Sequence, residues 1–250
     1  AHFHSMELQM ELTRGEIPFR ITSGIRFFEQ AHIKDVVAFM RFVVNPRDEL
    51  SFRRMVMLLP GIGPGMAQKL WIRWAACPES RLETPPESFS ALMLDFPVPA
   101  KSKTAWTQLC YTLDELAPAG KIAGPASMLI SINEAVYDEY MQAAFENYDQ
   151  RRQDLLHLAG FSERFESTED FLSQLSLLGN TDDESAAADL SGGAVTLSTI
   201  HQAKGLEWSV VFLIGLCDGM FPHQRVIDDG DLAGLEEERR LFYVGITRAK

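Results

Sequence analysis

The sequence predicts an α/β protein in which a small α/β domain is split by a long helical insertion. Two observations indicate the sheet: the extended segment IPFRI lies near the start of the chain, and the extended segments AVTLSTI and WSVVFLIGL lie near its end. A third observation indicates the insertion, because apolar residues recur mostly with helical spacing from Leu50 to about Leu178. The helical mass therefore lies between the parts of the chain that form strands.

The first part of the chain predicts a helix, a short extended segment and a second helix. Apolar residues in AHFHSMELQMEL have a helical pattern, and IPFRI follows. The segment GIRFFEQAHIKDVVAFMRFVV predicts a long amphipathic helix. Asn45-Pro46 should end it, because the residue before a proline disfavours helical backbone.

The longest helical pattern of the middle segment is ASMLISINEAVYDEYMQAAFENYDQRRQDLLHLAGF. Residues 180–193, NTDDESAAADLSGG, are acidic and almost free of bulky apolar side chains, so we expect a flexible linker there. AVTLSTI then predicts a short strand, HQAKGLE a polar loop, and WSVVFLIGL a strand buried on both faces, as in a parallel sheet. The closing segment LEEERRLFYVGITRAK, residues 235–250, predicts a helix.

The composition narrows the class of protein. A chain of 250 residues with 46% hydrophobic residues can bury a core, and its densest apolar run, residues 210–217, is far shorter than the ~20 residues that span a bilayer. Three cysteines are too few and too widely spaced for a disulfide framework or a zinc knuckle, and no charged leader opens the chain. We therefore expect a cytoplasmic protein without a membrane partner or a metal site.

The net charge of −12 argues at first against a nucleic-acid partner. The acids are concentrated, however: residues 162–193 carry eight acids and one base, whereas residues 1–60 carry seven acids and eight bases. The total charge therefore does not exclude a DNA-binding face.

The loop STIHQAKGLEW, residues 198–208, joins two predicted strands and concentrates polar side chains at one edge of the sheet, where α/β proteins usually bind ligands. Its candidate residues are Thr199, His201, Gln202, Lys204, Gly205 and Glu207. The alternative is a solvated loop with a turn glycine. The concentration of these residues on one connection favours a binding site.

Arg248 occupies an unusual position in the predicted last helix. Leu241, Val244, Gly245 and Arg248 fall on one helical face that is otherwise apolar. A guanidinium among apolar neighbours needs an anion to offset its desolvation, and a phosphate can accept from it bidentately. The alternative is a structural pair between Arg248 and a carboxylate of the fold.

GIGPG, residues 61–65, predicts a tight turn between two helices. It follows Leu58-Leu59-Pro60 instead of a strand, so it is a poor dinucleotide-binding fingerprint. Glycines there let backbone N–H groups approach a DNA phosphate, with Lys69 and Arg73 flanking the turn. A plain helix-connecting turn is the alternative.

These segments, in this order, resemble the UvrD/Rep/PcrA group of superfamily 1 DNA helicases. Residues 24–48 resemble the stretch that enters that group's insertion, residues 59–65 its GIG element, residues 195–208 its motif V, and residues 235–249 its motif VI. The resemblance implies a RecA-like (P-loop NTPase-type) parallel-sheet domain, incomplete, formed by residues 1–33 and 194–250. A mostly α-helical insertion domain would comprise residues 34–193.

The resemblance also implies roles for single residues. Arg248 matches the motif VI arginine that contacts the γ-phosphate of ATP. Glu207 matches the motif V glutamate near the nucleotide sugar, and Lys204 and Gly205 are weaker matches at the same site.

For DNA, Thr199 and His201 match the part of motif V that lies along the single strand. The GIG element implies a duplex contact by Gly61, Ile62 and Gly63, with Lys69 beside it. Hydroxyl, imidazole and backbone donors of this kind hold phosphates without reading bases.

The implied protein is the C-terminal part of an ATP-dependent 3′-to-5′ DNA helicase. The sequence contains no GxxxxGK[ST] phosphate loop, so the site for ATP and magnesium would be completed by an N-terminal RecA-like domain of the same protein. The expected partners are single-stranded DNA and a duplex junction, and the chain alone should not hydrolyse ATP. Two alternatives stay open: a non-enzymatic DNA-junction or partner-binding module, and the motor part of a larger helicase–nuclease.

Overall fold

The computed structural model describes residues 8–9, 11–12, 15, 17–21, 27–81, 83–176, 193–228 and 230–250. The chain forms two compact units: Ala1–Arg26 with Thr181–Lys250, which we call the terminal unit, and Phe27–Asn180, which we call the central unit. Four residues of the predicted first helix, 8, 9, 11 and 12, are described and are helical. The predicted linker, residues 180–193, lies outside the described residues except for Gly193.

The central unit consists of helices and turns. Its helices are α1 (Ala31–Val44), α2 (Glu49–Val56), α3 (Pro64–Ala75), α4 (Phe89–Met93), α5 (Lys103–Leu116), α6 (Pro125–Ile132), α7 (Asp138–Ala144) and α8 (Tyr148–Ser162), followed by helical residues 168–176. Short 3-10 turns lie at Phe27–Glu29, Pro78–Arg81, Ala100–Ser102 and Pro118–Gly120, and a π-helical turn lies at Asn133–Tyr137. The predicted helical character of the middle segment is confirmed.

Sequence signals define several helix ends. Helix α1 ends at Val44, directly before Asn45-Pro46, as predicted. The Asp48 side chain caps α2 by accepting from the Ser51 N–H at 3.0 Å. Pro64 opens α3 at a position where its missing N–H costs nothing.

The longest predicted helical pattern is divided in the structure into α6, the π-helical turn, α7 and α8. The chain leaves the helix at Phe145, whose backbone is extended. The guanidinium of Arg151 lies 3.9 Å from the centre of the Phe145 ring, and Tyr140 meets that ring edge to face. These tertiary contacts of Phe145 accompany the break in helical periodicity.

The core of the central unit is built around aromatic rings. Phe42 lies at the centre, with the rings of Phe52, Trp74 and Phe89 at centroid distances of 5.2, 5.5 and 5.6 Å. All four side chains are fully buried. The Trp74 Nε1–H donates to the Pro46 carbonyl at 2.8 Å, so the one polar atom of this cluster has a partner. The cluster joins the four helices α1, α2, α3 and α4.

A buried carboxylate ties α1, α2 and the π-helical turn together. Asp35 accepts from the Tyr137 hydroxyl at 2.7 Å and from Arg54 Nε at 2.7 Å. Burial, and next the negative charge of Asp35, raise the pKa of Tyr137 above its ordinary value. Tyr137 therefore stays a hydrogen-bond donor to Asp35.

The terminal unit contains a two-stranded parallel sheet, in which β1 (Phe19–Ile21) pairs with β2 (Val195–Leu197) in the register Phe19 to Val195. Helices α9 (Gln224–Asp228) and α10 (Leu232–Ile246) follow. The predicted sheet of extended segments from the two ends of the chain is confirmed for IPFRI and AVTLSTI. The fold is thus mostly helical with a small parallel sheet, which agrees with the predicted α/β class in its broad sense.

The predicted strand in WSVVFLIGL is wrong. Trp208 makes a single parallel bridge to Ala249, and residues 209–216 are in no strand. Val210, Phe212 and Ile214 are exposed by 67%, 86% and 58%. A strand buried on both faces needs a hydrogen-bonded neighbour and two packed layers, and the described residues of the terminal unit supply neither for this run.

The predicted last helix ends earlier than expected. Helix α10 begins after an Asp231 cap and ends at Ile246, so Arg248 lies beyond it and not on its side. Thr247 Oγ1 donates to the carbonyls of Tyr243 and Val244 at 2.9 and 3.0 Å. The Tyr243 carbonyl also accepts from the Thr247 N–H at 3.1 Å, so the hydroxyl adds a second bond there and gives the Val244 carbonyl a side-chain partner.

Among the described residues, no helix is both long enough and apolar enough to traverse a membrane.

Candidate functional site

The loop of residues 198–207, which we call the 198–207 loop, is anchored at one buried residue. The Thr199 carbonyl accepts from the Gln202 and Ala203 N–H groups at 3.1 and 3.0 Å, and Ala203 is 8% exposed. Gly205 has φ +86°, which only glycine adopts readily. This anchoring leaves the side chains of His201 and Lys204 exposed to solvent.

The Arg248 side chain is held by neutral acceptors. Nε donates to the Val244 carbonyl at 3.0 Å, Nη1 to the Leu206 carbonyl at 3.1 Å, and Nη2 to the Thr247 hydroxyl at 3.2 Å. No carboxylate of the described residues pairs with Arg248. The alternative of a structural Arg–carboxylate pair therefore has no partner in the described part of the chain.

A guanidinium carries five N–H donors, and three hydrogen bonds leave about two free. The positive charge of Arg248 is also uncompensated within the described residues. Because its side chain is half-buried, the group combines a fixed position with donors left for an anion.

The backbone brings Glu207 to the same place. The Trp208 N–H donates to the Arg248 carbonyl at 2.9 Å, and the Lys250 N–H donates to the Trp208 carbonyl at 2.9 Å. The carboxylate of Glu207 forms an ion pair with Lys250, and both groups are largely exposed. The predicted motif V and motif VI residues Glu207 and Arg248 thus lie on adjoining segments.

Gly245 sets how closely α10 approaches its neighbours. The sequence placed it on the apolar helix face but indicated no role for it. It is the one buried residue of α10. A Cβ at this position would lie 2.9 Å from Cδ2 of Leu213 and 3.7 Å from Cδ1 of Ile200. The absence of a side chain lets α10 approach these residues closely. In the sequence, the signal for this close contact was a glycine on an otherwise apolar helical face.

The central unit holds the predicted turn between α2 and α3. Gly61 has φ +82°, and Ile62 is 4% exposed with its N–H donated to the Leu59 carbonyl at 3.2 Å. Gly63 precedes Pro64 in an extended conformation, and a Cβ added at Gly63 would meet nothing within 4 Å. Ile62 thus anchors the turn in the core, while Gly61 and Gly63 are exposed at the surface.

Lys69 and Arg73 follow this turn on α3 and are exposed. The Arg73 guanidinium lies 5.9 Å from the centre of the Phe96 ring. The turn and the 198–207 loop belong to different units, and each is a site in its own right.

A groove of about 800 Å³ in the central unit was not singled out by the sequence. It lies along α1 and α2, and its charged lining consists of four bases and one acid, Lys34, Arg41, Arg53, Arg54 and Glu29. Asp35 holds Arg54, and Arg53 lies 3.4 Å from Glu49. The bases come from two helices, so no contiguous sequence motif predicts the groove.

The described residues contain no group of three or more His, Cys, Asp or Glu side chains placed to hold a metal ion.

Comparison with known proteins finds one family and several relatives. The sequence model of the UvrD-like helicase C-terminal domain matches residues 2–77 and 132–250. A probable DNA helicase II homolog of Rickettsia conorii is 33% identical over 259 residues, which cover 100% of this chain and 38% of that protein.

Two further relatives are ATP-dependent DNA helicases by name. PcrA of Bacillus subtilis is 33% identical over 98% of this chain and 34% of its own length. UvrD1 of Mycobacterium tuberculosis is 31% identical over 98% of this chain and 34% of its own length. The chain thus spans little more than a third of the length of these relatives.

Proposed function

Because this chain belongs to the UvrD-like helicase C-terminal domain family, we propose that it is the C-terminal part of an ATP-dependent DNA helicase. The whole enzyme would translocate 3′-to-5′ on single-stranded DNA and unwind duplex. Residues 1–33 and 194–250 would form its second RecA-like motor domain, and residues 34–193 the helical insertion. Two relatives that are named as ATP-dependent DNA helicases support this proposal.

One observation carries the proposal: the Arg248 guanidinium is fixed by three neutral acceptors and pairs with no carboxylate among the described residues. A positioned arginine with donors to spare suits a phosphate that arrives from outside the unit. ATP and magnesium would lie between this unit and an N-terminal RecA-like domain of the same protein. Arg248 would stabilise negative charge on the transferring phosphoryl group, an effect worth ~10³ or more in rate.

The remaining site residues take supporting roles. Glu207 would accept hydrogen bonds from the ribose hydroxyls, which requires it to exchange its ion pair with Lys250. The N–H of Gly205 and the ammonium of Lys204 would lie on the same side of the nucleotide. Because both partners of the Glu207–Lys250 pair are largely exposed, that exchange costs little.

DNA would be held in both units. Thr199 and His201 of the 198–207 loop would contact the phosphates of the single strand. Gly61, Gly63 and Lys69 of the central unit would contact a duplex junction, with Ile62 anchoring their turn. These groups bind backbone phosphates and give no base specificity.

The test is Arg248→Ala in the full-length protein, assayed for DNA-stimulated ATP hydrolysis and for ATP binding. We expect turnover to fall by ~10³ or more while ATP binding remains largely intact, because the arginine acts on charge that develops during transfer. Arg240→Ala is the matched control, since Arg240 is also near the end of the chain but is exposed and paired with Glu237 at 3.2 Å. Near wild-type turnover by the Arg248 variant would refute the assignment.

A further inference from the structure

The Gly61 turn is covered by a lysine from a distant part of the chain. Lys101 belongs to the 3-10 turn Ala100–Ser102, and its side chain lies where a side chain on Gly61 would point. A Cβ placed on Gly61 would be 2.9 Å from Nζ of Lys101 and closer still to its Cε. The methylenes of Lys101 therefore lie against the turn, with the ammonium at its surface.

A hydrogen bond from a buried serine holds the segment that carries Lys101 against the turn. The hydroxyl of Ser102, the next residue, donates to the Pro60 carbonyl at 2.6 Å, and Ser102 is fully buried. Trp106, in the first turns of α5, is 1% exposed and donates from Nε1 to the Met93 carbonyl at 2.9 Å. The segment that carries Lys101 is thus attached both to the turn and to the core.

The charge of Lys101 is not neutralised nearby. Lys101 is exposed, and none of the described residues forms a hydrogen bond or an ion pair with its ammonium. Lys69 of α3 is exposed in the same way and has no such partner within the described ranges. Two unpaired cations, separated by 32 positions in sequence, therefore accompany one glycine turn.

We propose that Lys101 is a further DNA-backbone contact, which acts together with the Gly61–Gly63 turn at the duplex junction. This inference rests on the proposed function. A lysine whose methylenes already pack along the turn loses little side-chain freedom when its ammonium binds a phosphodiester oxygen. The contact recognises phosphate alone, so it adds affinity without sequence preference.

The experiment measures binding of the 250-residue chain to a duplex with a 3′ single-stranded tail, by fluorescence anisotropy across a series of salt concentrations. Lys101→Met removes the charge and keeps most of the apolar stem. We expect affinity at 0.1 M salt to fall about fivefold to tenfold, and the slope of log K against log salt to lose ~0.9, as for one phosphate contact. Lys101→Arg should restore both.

Lys121→Met is the matched control, because Lys121 is an exposed lysine of the same unit outside this turn. The DNA affinity of this variant should equal that of the wild type. If the wild-type chain binds DNA and the Lys101→Met variant matches it in affinity and in salt slope, this inference alone is overturned. A wild-type chain that binds neither the duplex nor its tail overturns the proposed DNA contacts themselves. Because Lys101 is exposed, its variants should unfold at the wild-type temperature, which circular dichroism checks.

Discussion

At the scale of single residues, Gly245 and Arg248 determine the contacts at the end of α10 in the terminal unit. Gly245 contributes the absence of a side chain, and Arg248 contributes a long cation held by three neutral acceptors. The sequence predicted that Arg248 would be unusual, because a guanidinium fell on an otherwise apolar helical face. It could not predict the Leu206 acceptor, since Leu206 lies 42 positions away and its carbonyl reaches Arg248 only through the fold.

Gly245→Ala should destabilise the terminal unit. The new Cβ would stand 2.9 Å from Leu213, so either α10 or the Leu213 segment must shift. Overpacking of this kind costs about 1–3 kcal/mol, and urea unfolding measures it. Gly160→Ala is the control: it lies within α8 with nothing within 4 Å of an added Cβ, and it should instead stabilise the chain by about 0.5–1 kcal/mol. An unchanged or raised stability of the Gly245 variant would show that close packing is not required there.

At the scale of elements, sequence patterns predicted segments whose local and tertiary preferences agree. Proline and a side-chain cap define α1 to α3, and parallel strands formed where extended segments from both ends of the chain could pair. WSVVFLIGL failed because β propensity alone makes no strand without a hydrogen-bonded neighbour. The last helix ends at Ile246, and side chains of the following two residues bond back to carbonyls of its last turn.

The candidate sites were predictable to a similar degree. The Gly61 turn was predicted from its glycines, and the 198–207 loop from its concentration of polar residues. Lys101 was not, because a contact across 40 positions leaves no local pattern.

The tie between α1, α2 and the π-helical turn predicts a fall in stability at alkaline pH. Burial and the Asp35 charge raise the pKa of Tyr137, and burial raises the pKa of the Cys110 thiol to about 12. The unfolded chain releases these protons from about pH 8.5 for cysteine and about pH 10 for tyrosine. Above those values the native state holds more protons than the unfolded state, so the free energy of unfolding decreases as pH rises.

Tyr137→Phe tests this assignment. At pH 7 it should cost about 1 kcal/mol, since Asp35 loses a buried donor, and between pH 9 and about 11 its stability should decline less steeply than that of the wild type. Urea unfolding at each pH gives both quantities. Tyr111→Phe, at a tyrosine exposed by 51%, should follow the wild-type curve. Parallel curves for wild type and Tyr137→Phe would remove Tyr137 from the explanation.

At the scale of the whole molecule, the proposal separates binding from turnover. The 250-residue chain carries Arg248 and candidate DNA contacts, but no GxxxxGK[ST] segment occurs in its sequence. The purified chain should therefore bind DNA and show no DNA-stimulated ATP hydrolysis, as measured by phosphate release beside the full-length protein. Robust turnover by the isolated chain would mean that it contains a complete nucleotide site, contrary to the proposal.

The Arg248 side chain also closes the end of α10, because it donates to the carbonyl of Val244 within the last turn and to that of Leu206. An anion that draws the guanidinium away leaves the Leu206 carbonyl to water, while the Val244 carbonyl keeps its hydrogen bond from the Thr247 hydroxyl. Because the end of α10 then loses its tie to Leu206, it should open more readily, and amide protons around residues 244–248 should exchange with deuterium faster in the occupied state than in the empty one. The same side chain would thus report, through solvent exchange at a helix terminus, whether the proposed nucleotide site is filled.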